Sequence, residues 1–242
     1  MPKIPAWLAD TMERFLGDKI FPVDVVQTRM LNDHLKSVTF KGDFSEANFV
    51  PGNEVLFRIN RNEYRHYTLT EFDAERQTCK IVFYLNGKGP GNQWVLNLKR
   101  GDQLKLLVDQ AKVQYKTDAN QHFFFGDETS IGLYDWFGRI ALNNDQEYFG
   151  ILELKEENFS VLDEVKLRID AVISDLTAPA RNAIQWMENM HPKCWEMWEG
   201  ATFYLTGRAK SIQSFKKYLR ERGVSPKQIQ SMPYWEYGRA GG

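Results

Sequence analysis

Arg65, Tyr67 and Thr68 stand at positions i, i+2 and i+3 of RHYTLT, a run whose composition predicts a strand. A cation, a ring and a hydroxyl so spaced suit a flavin. Arg65 would meet a phosphate, Tyr67 would lie against the isoalloxazine, and Thr68 would reach its N5 edge by backbone or hydroxyl. Taken alone the string is short, and ordinary alternation on a solvent-facing β ladder explains it better. A second group, NGKGPGNQW at residues 86–94, ends a strand and opens a helix. Its glycines, Gly87, Gly89 and Gly91, let the backbone approach an anion closely, and amides at a helix start point at it. Gly91, Asn92 and Gln93 fall where a pyrophosphate needs donors, although Gly-Pro-Gly is equally plain turn chemistry.

Three further groups lie downstream. GDETS, residues 126–130, follows the apolar run HFFF and places a glycine, two acids and hydroxyls in a first helical turn. Asp127 or Thr129 as a helix cap explains it adequately; its place at a strand's carboxyl end is what singles it out. YLTGRAK, residues 204–210, repeats that topology, with Arg208 and Lys210 either taking a nucleotide phosphate or remaining solvated. MPYWEYG, residues 232–238, brings Tyr234 and Trp235 together, to cover a cofactor or to close a core.

The elements that must position these groups change character along the chain. Trp7, Leu8, Met12, Phe15 and Leu16 recur at helical spacing and predict a helix packed on the domain. Six β-rich runs follow, from VDVVQTRML to DQLKLLVDQ, separated by turns such as Lys41-Gly42-Asp43 and Pro51-Gly52-Asn53. They predict an antiparallel barrel or sandwich, interrupted by a helix near residues 92–98. Beyond the polar KTDANQ, residues 116–121, apolar strands alternate with helices, the pattern of a parallel sheet. The expected domains are 1–115 and 116–242.

Composition removes other classes. With 31 Lys+Arg against 32 Asp+Glu and a net charge of -1, the balance argues against a nucleic-acid binder, which needs a basic face. Two cysteines, Cys79 and Cys194, cannot hold an iron–sulfur cluster or a structural zinc. No run reaches the ~18 apolar residues of a membrane span, and the amino terminus carries acids within its apolar pattern. The expected compartment is the cytoplasm. His191 and Cys194 form half a metal pair and read as a partly buried turn. The acids at residues 153–164 read as a solvated loop. No general acid or base and no metal site is expected.

In order and spacing these motifs resemble the siderophore-interacting protein family, FAD-binding ferric-siderophore reductases related to ferredoxin–NADP reductases. The family pattern runs Arg-x-Tyr-Thr-x-Arg, His-Gly-x-x-Gly-Pro…Trp, Gly-Asp, Gly-Asp-Glu-Thr, and Tyr-Trp before a glycine. The chain offers Arg65-His66-Tyr67-Thr68, Asn86-Gly87-Lys88-Gly89-Pro90 with Trp94, Gly101-Asp102, Gly126-Asp127-Glu128-Thr129, and Tyr234-Trp235 with Gly238. It departs at Asn86 (His in the family), Thr70 (Arg) and Arg208 (Glu), and its glycine loop is one residue shorter. Losing a cation at Thr70 would weaken phosphate binding, and Arg208 would favour a phosphorylated dinucleotide.

The resemblance implies a six-stranded antiparallel FAD-binding barrel followed by a parallel-sheet NAD(P)H-binding-type domain. It assigns Arg65, His66, Tyr67, Thr68, Asn86, Gly87, Gly89, Pro90, Gly91, Asn92, Gln93, Trp94, Asp127, Thr129 and Trp235 to the cofactor. Gly126, Glu128, Gly207 and Arg208 go to the nucleotide. Electrons would pass from NADPH or NADH through FAD to a ferric siderophore or other ferric chelate, with ferredoxin as an alternative donor partner and the protein a monomer. Lys88, Lys99, Arg100 and Arg208 are the candidate cations for an anionic chelate. A different acceptor, or a non-catalytic role in binding FAD or siderophore, are the alternatives.

Overall fold

The computed structural model describes residues 5, 7, 11, 15, 19–87 and 89–238. Most of the expected N-terminal helix, including Leu8, Met12 and Leu16, lies outside the described residues, as does Lys88. The chain divides between Lys112 and Val113 into two compact units. Among the described residues no helix is long and apolar enough to cross a membrane.

The first unit is one antiparallel sheet of seven strands: β1 (Ile20–Met30), β2 (Leu35–Gly42), β3 (Glu54–Asn60), β4 (Glu63–Thr68), β5 (Glu71–Asp73), β6 (Thr78–Tyr84) and β7 (Gln103–Val108). Their spatial order is β4-β3-β7-β1-β2-β6-β5. The two edge strands, β4 and β5, are consecutive in sequence with only Leu69 and Thr70 between them, so the sheet must curl until its edges meet. Both linking residues are fully buried. Leu69 N–H donates to Asn53 O, Thr70 N–H to Lys80 O, and Val82 N–H to Thr70 Oγ1. The run RHYTLTEF is therefore two strands rather than one, which raises the expected six strands to seven. Alternation fills the interior with Val23, Val25, Val38, Phe40, Val55, Phe57, Ile81 and Phe83.

Between β6 and β7 lies α1 (Pro90–Asn97), whose far end is held by an unusual cap. The buried Lys36 ammonium on β2 donates to Val95 O, Leu96 O and Leu98 O at 2.9, 3.0 and 2.8 Å. These include carbonyls that a helix end leaves without partners.

The second unit is a parallel five-stranded sheet in the order β10-β9-β8-β11-β12. Its strands are β8 (Gln121–Asp127), β9 (Glu147–Leu154), β10 (Asp170–Ile173), β11 (Thr202–Arg208) and β12 (Ile229–Trp235). The central β8 is buried on both faces, which is why HFFF is apolar without alternation. On one face Phe124 and Tyr204 meet Tyr134 and Phe137 of α2 (Ile131–Asn143). On the other, Phe123, Phe125, Ile151, Phe203 and Leu205 form a core with Ala183 and Met187 of α4 (Arg181–Glu188) and Ile212 and Phe215 of α6 (Ala209–Glu221). Two short helices, α3 (Ser160–Glu164) and α5 (Pro192–Trp198), complete the unit. His191 caps α5, its Nδ1 accepting from Lys193 N–H, and Cys194 is exposed. The pair belongs to a helix start rather than the expected half-buried turn.

Candidate functional site

In the first unit β3 and β4 pair so that Phe57 lies opposite Arg65 and Val55 opposite Tyr67, which turns Arg65 and Tyr67 to the interior face. There Tyr67 lies parallel to Trp94 of α1, ring centroids 6.1 Å apart at 13°, and edge-on to Phe83 at 4.6 Å. Burial pushes the Tyr67 phenol up, with Arg65 acting against it. Arg65 Nη1 donates to Tyr64 O at 2.8 Å and its Nη2 lies 3.9 Å from Glu63 Oε2. The ring platform, the cation and the glycine loop thus converge: a Cβ added at Gly91 would lie 3.4 Å from the Tyr67 hydroxyl and 3.7 Å from Arg65 Cγ.

The start of α1 is open to an anion. Gly89 is the N-cap with no side-chain cap bond, Pro90 sits in the first turn, and no acid is present there. Side chains at Gly87 and Gly89 would meet nothing within 4 Å. Asn92 Nδ2 donates to Gly87 O and to Asn86 Oδ1, which shapes the loop. Helix amides without an internal cap and a nearby guanidinium are what a pyrophosphate needs, so these residues fit the phosphates of FAD. Gln93, Lys99 and Arg100 are exposed.

His66 and Thr68 lie on the opposite face of β4 from Tyr67. The His66 Nδ1 is 3.6 Å from Glu54 Oε2 and 3.8 Å from Asp109 Oδ2, and Lys112 Nζ stands 3.1 Å from the same Glu54 oxygen. No sequence signal marks this cluster, because its members come from three separate strands and loops.

The carboxyl edge of the second unit is built in the opposite sense. Asp127 Oδ1 accepts from Thr129 N–H at 2.9 Å and Thr129 Oγ1 at 2.5 Å. Its Oδ2 accepts from Arg208 N–H and Trp235 Nε1, both at 2.8 Å. One carboxylate thereby ties the ends of β8, β11 and β12 together. Burial pushes Asp127 up, and these donors pull it back. Glu128 Oε1 accepts from Lys155 N–H and Asn158 Nδ2. Burial, then the Asp127 charge, push the Glu128 carboxyl up. Gly126 is closely packed against Ser130, and Thr206 Oγ1 donates to Ser130 Oγ at 2.8 Å.

Gly207 has φ of 105°, and a Cβ there would fall 2.5 Å from Asp127 Oδ2. Arg208 is 6% exposed, not solvated: its Nε meets Glu236 Oε1 at 3.1 Å, and Nη1 donates to Leu176 O at 3.2 Å. The reading of residues 153–164 as a solvated loop is also corrected. Glu153 and Leu154 belong to β9, and Glu153, Asn158, Val161 and Leu162 are buried. Sequence could not show this, because the burying helices come from elsewhere in the chain.

Comparison with known proteins places these features. Residues 51–112 match the family model of the siderophore-interacting FAD-binding domain, a span holding Arg65, Tyr67 and the whole of α1. Solved structures share the fold, among them three of different description. The siderophore-interacting protein SipS from Aeromonas hydrophila aligns with a TM-score of 0.76 at 15% identity, over 92% of this chain and 93% of its own. A siderophore utilization protein from T. fusca aligns at 0.72 and 20%, over 92% and 95%. The ferredoxin reductase in carbazole 1,9a-dioxygenase aligns at 0.75 and 16%, over 89% and 69%. The resemblance expected from the motifs, and the barrel plus parallel-sheet architecture it implied, are borne out.

Proposed function

We propose that this chain, whose first unit carries a siderophore-interacting FAD-binding domain, is a flavin-dependent reductase. Its parallel-sheet unit takes NADH or NADPH, and its acceptor is chelated ferric iron. The observation that carries the reading is the uncapped, acid-free start of α1 beside Arg65 and the Tyr67–Trp94 pair, all within the matched domain. FAD held there would supply the chemistry, a two-electron acceptor for hydride that can pass electrons on singly. The chain's own residues bind and orient: Arg65 and the amides of α1 neutralise phosphate charge, and Tyr67 supplies an apolar ring face. No general base is required of the protein. Ferrous iron is held less tightly than ferric by hard oxygen donors, so reduction frees it.

A second reading is favoured by one feature, the self-capped loop at residues 126–130, whose amides are engaged by its own Asp127 and Ser130 side chains. On that reading the electrons come from a protein donor of the ferredoxin type. The test is a visible spectrum of the purified protein, then anaerobic NADH or NADPH, then a ferric siderophore with a ferrous trap. Oxidised-flavin bands that bleach with nucleotide and return with trapped Fe(II) support the proposal. Bands that bleach only with reduced ferredoxin support the second reading. Absence of bound flavin after reconstitution overturns both.

A further inference from the structure

Glu153, the penultimate residue of β9, is 4% exposed, and its Oε1 has no hydrogen-bond partner. Parallel register sets Asp127 of β8 on one side of it and Val172 of β10 on the other. Two helices begin over this point. The Ala180 amide, immediately before α4, and the Ser211 hydroxyl, in the first turn of α6, both stabilise the charged form of the carboxyl. Neither helix has an acid in its own first turn. In open parallel sheets, helix starts at the carboxyl ends of strands receive ligand phosphates. Here a carboxyl of the chain stands in that place.

The charges around it are unbalanced. Asp127 faces it from β8 as a like charge, and Arg208 faces it from β11 as an opposite one. Arg208 is already committed to Glu236 at 3.1 Å. The two helices meet it with the neutral Ser211 and the Ala180 amide, and β10 with Val172. A phosphodiester entering this edge would add a third negative charge to Asp127 and an ionised Glu153, while the cations of the two helix starts, Arg181 and Lys210, are exposed to solvent and Arg181 is paired with Asp175.

We propose that Glu153 is the residue that sets dinucleotide affinity in this unit, the donor's phosphates being accepted at the starts of α4 and α6 only with Glu153 neutral, so that binding takes up one proton. The proposal rests on reading the chain as a nicotinamide-linked reductase. Burial supports it by pushing the Glu153 carboxyl up to about 7, against the pull of Ser211; Asp127 pushes it further up, while the Ala180 amide and Arg208 pull it down. The free protein therefore carries an ionised Glu153 above neutrality and must regain the proton to bind.

The experiment measures NAD+ binding to the purified full chain by calorimetry between about pH 6 and about pH 9. NAD+ is the probe because its pyrophosphate charge is constant in that range and no flavin turnover follows. Wild-type Kd is expected to rise about tenfold per pH unit above 7, and Glu153→Gln to bind with a flat profile and at least about tenfold more tightly at the alkaline end. Uptake approaching one proton per NAD+ at pH 8, from titrations in buffers of different ionisation enthalpy, tests the unmodified protein should the variant fold poorly. Equal pH slopes for both proteins, zero proton uptake, or no NAD+ binding to either across the range would overturn the proposal. Because binding alone is read, a protein that never holds flavin would sink the reductase reading and leave this result standing.

Discussion

At the scale of single residues, the same amino-acid types serve opposite ends in the two units. Around α1 acids are kept away from the helix start, whereas after β8 they are built into it: Asp127 accepts from the Thr129 amide, and Glu128 from the Lys155 amide, before any ligand arrives. Glu153 is a residue for which this arrangement has a cost. Its folded pKa of about 7 stands above the ordinary 4.5, so the folded state holds the proton more tightly than the unfolded chain does. Its contribution to stability is complete below about pH 4.5 and is lost as pH rises through 7. Glu153→Gln is accordingly expected to match wild type near pH 4.5 and to exceed it by roughly 3 kcal/mol at pH 8, by urea unfolding. A variant no more stable than wild type at pH 8 would remove the basis for the shift. The sequence showed the local strings RHYT, NGKGPG and GDETS because their chemistry is contiguous. It did not show Glu153 or the engaged state of Arg208, which depend on helices and a terminal strand distant in the chain.

Elements were legible where one period dominates. HFFF reads as a buried strand because it has a single environment along its length. RHYTLTEF was not, because alternation continues unbroken through Leu69 and Thr70 while the chain crosses from one sheet edge to the other. The cap on α1 was equally hidden, since Lys36 is a β2 residue reaching a helix far along the chain. Lys36→Met leaves three carbonyls without their ammonium donor and is expected to cost about 2–4 kcal/mol. Flavin affinity should fall with it, because α1 carries Trp94 and the amides proposed to meet the phosphates. Unchanged chemical stability would show that water replaces the cap. In the second unit Gly207→Ala must place a methyl against Asp127 Oδ2 at a φ that side chains rarely adopt. A loss of about 2–4 kcal/mol is expected, seen as a lowered urea midpoint with an unchanged slope.

At the scale of the whole molecule, two units with separate cores divide the labour that the proposed reaction requires. Every group of the first unit proposed to meet the flavin, from Arg65 to Trp94, lies before the division at Lys112, and all seven barrel strands are complete by Val108. The groups tied to Asp127 and Glu153 all lie after it. Loop-closure costs grow only slowly with length, so a barrel whose strands are all present should fold without the downstream chain. A fragment of residues 1–112 is therefore expected to take up FAD on reconstitution, with a Kd within about tenfold of the full chain, and residues 113–239 to remain colourless. NADH should bleach the full chain and leave the barrel fragment oxidised, because the fragment lacks the helix starts over Glu153. A folded but colourless 1–112 fragment would mean that the flavin needs residues beyond the barrel, with Trp235 the first to examine, and bleaching of that fragment by NADH at the full chain's rate would remove any role for the second unit in receiving the donor.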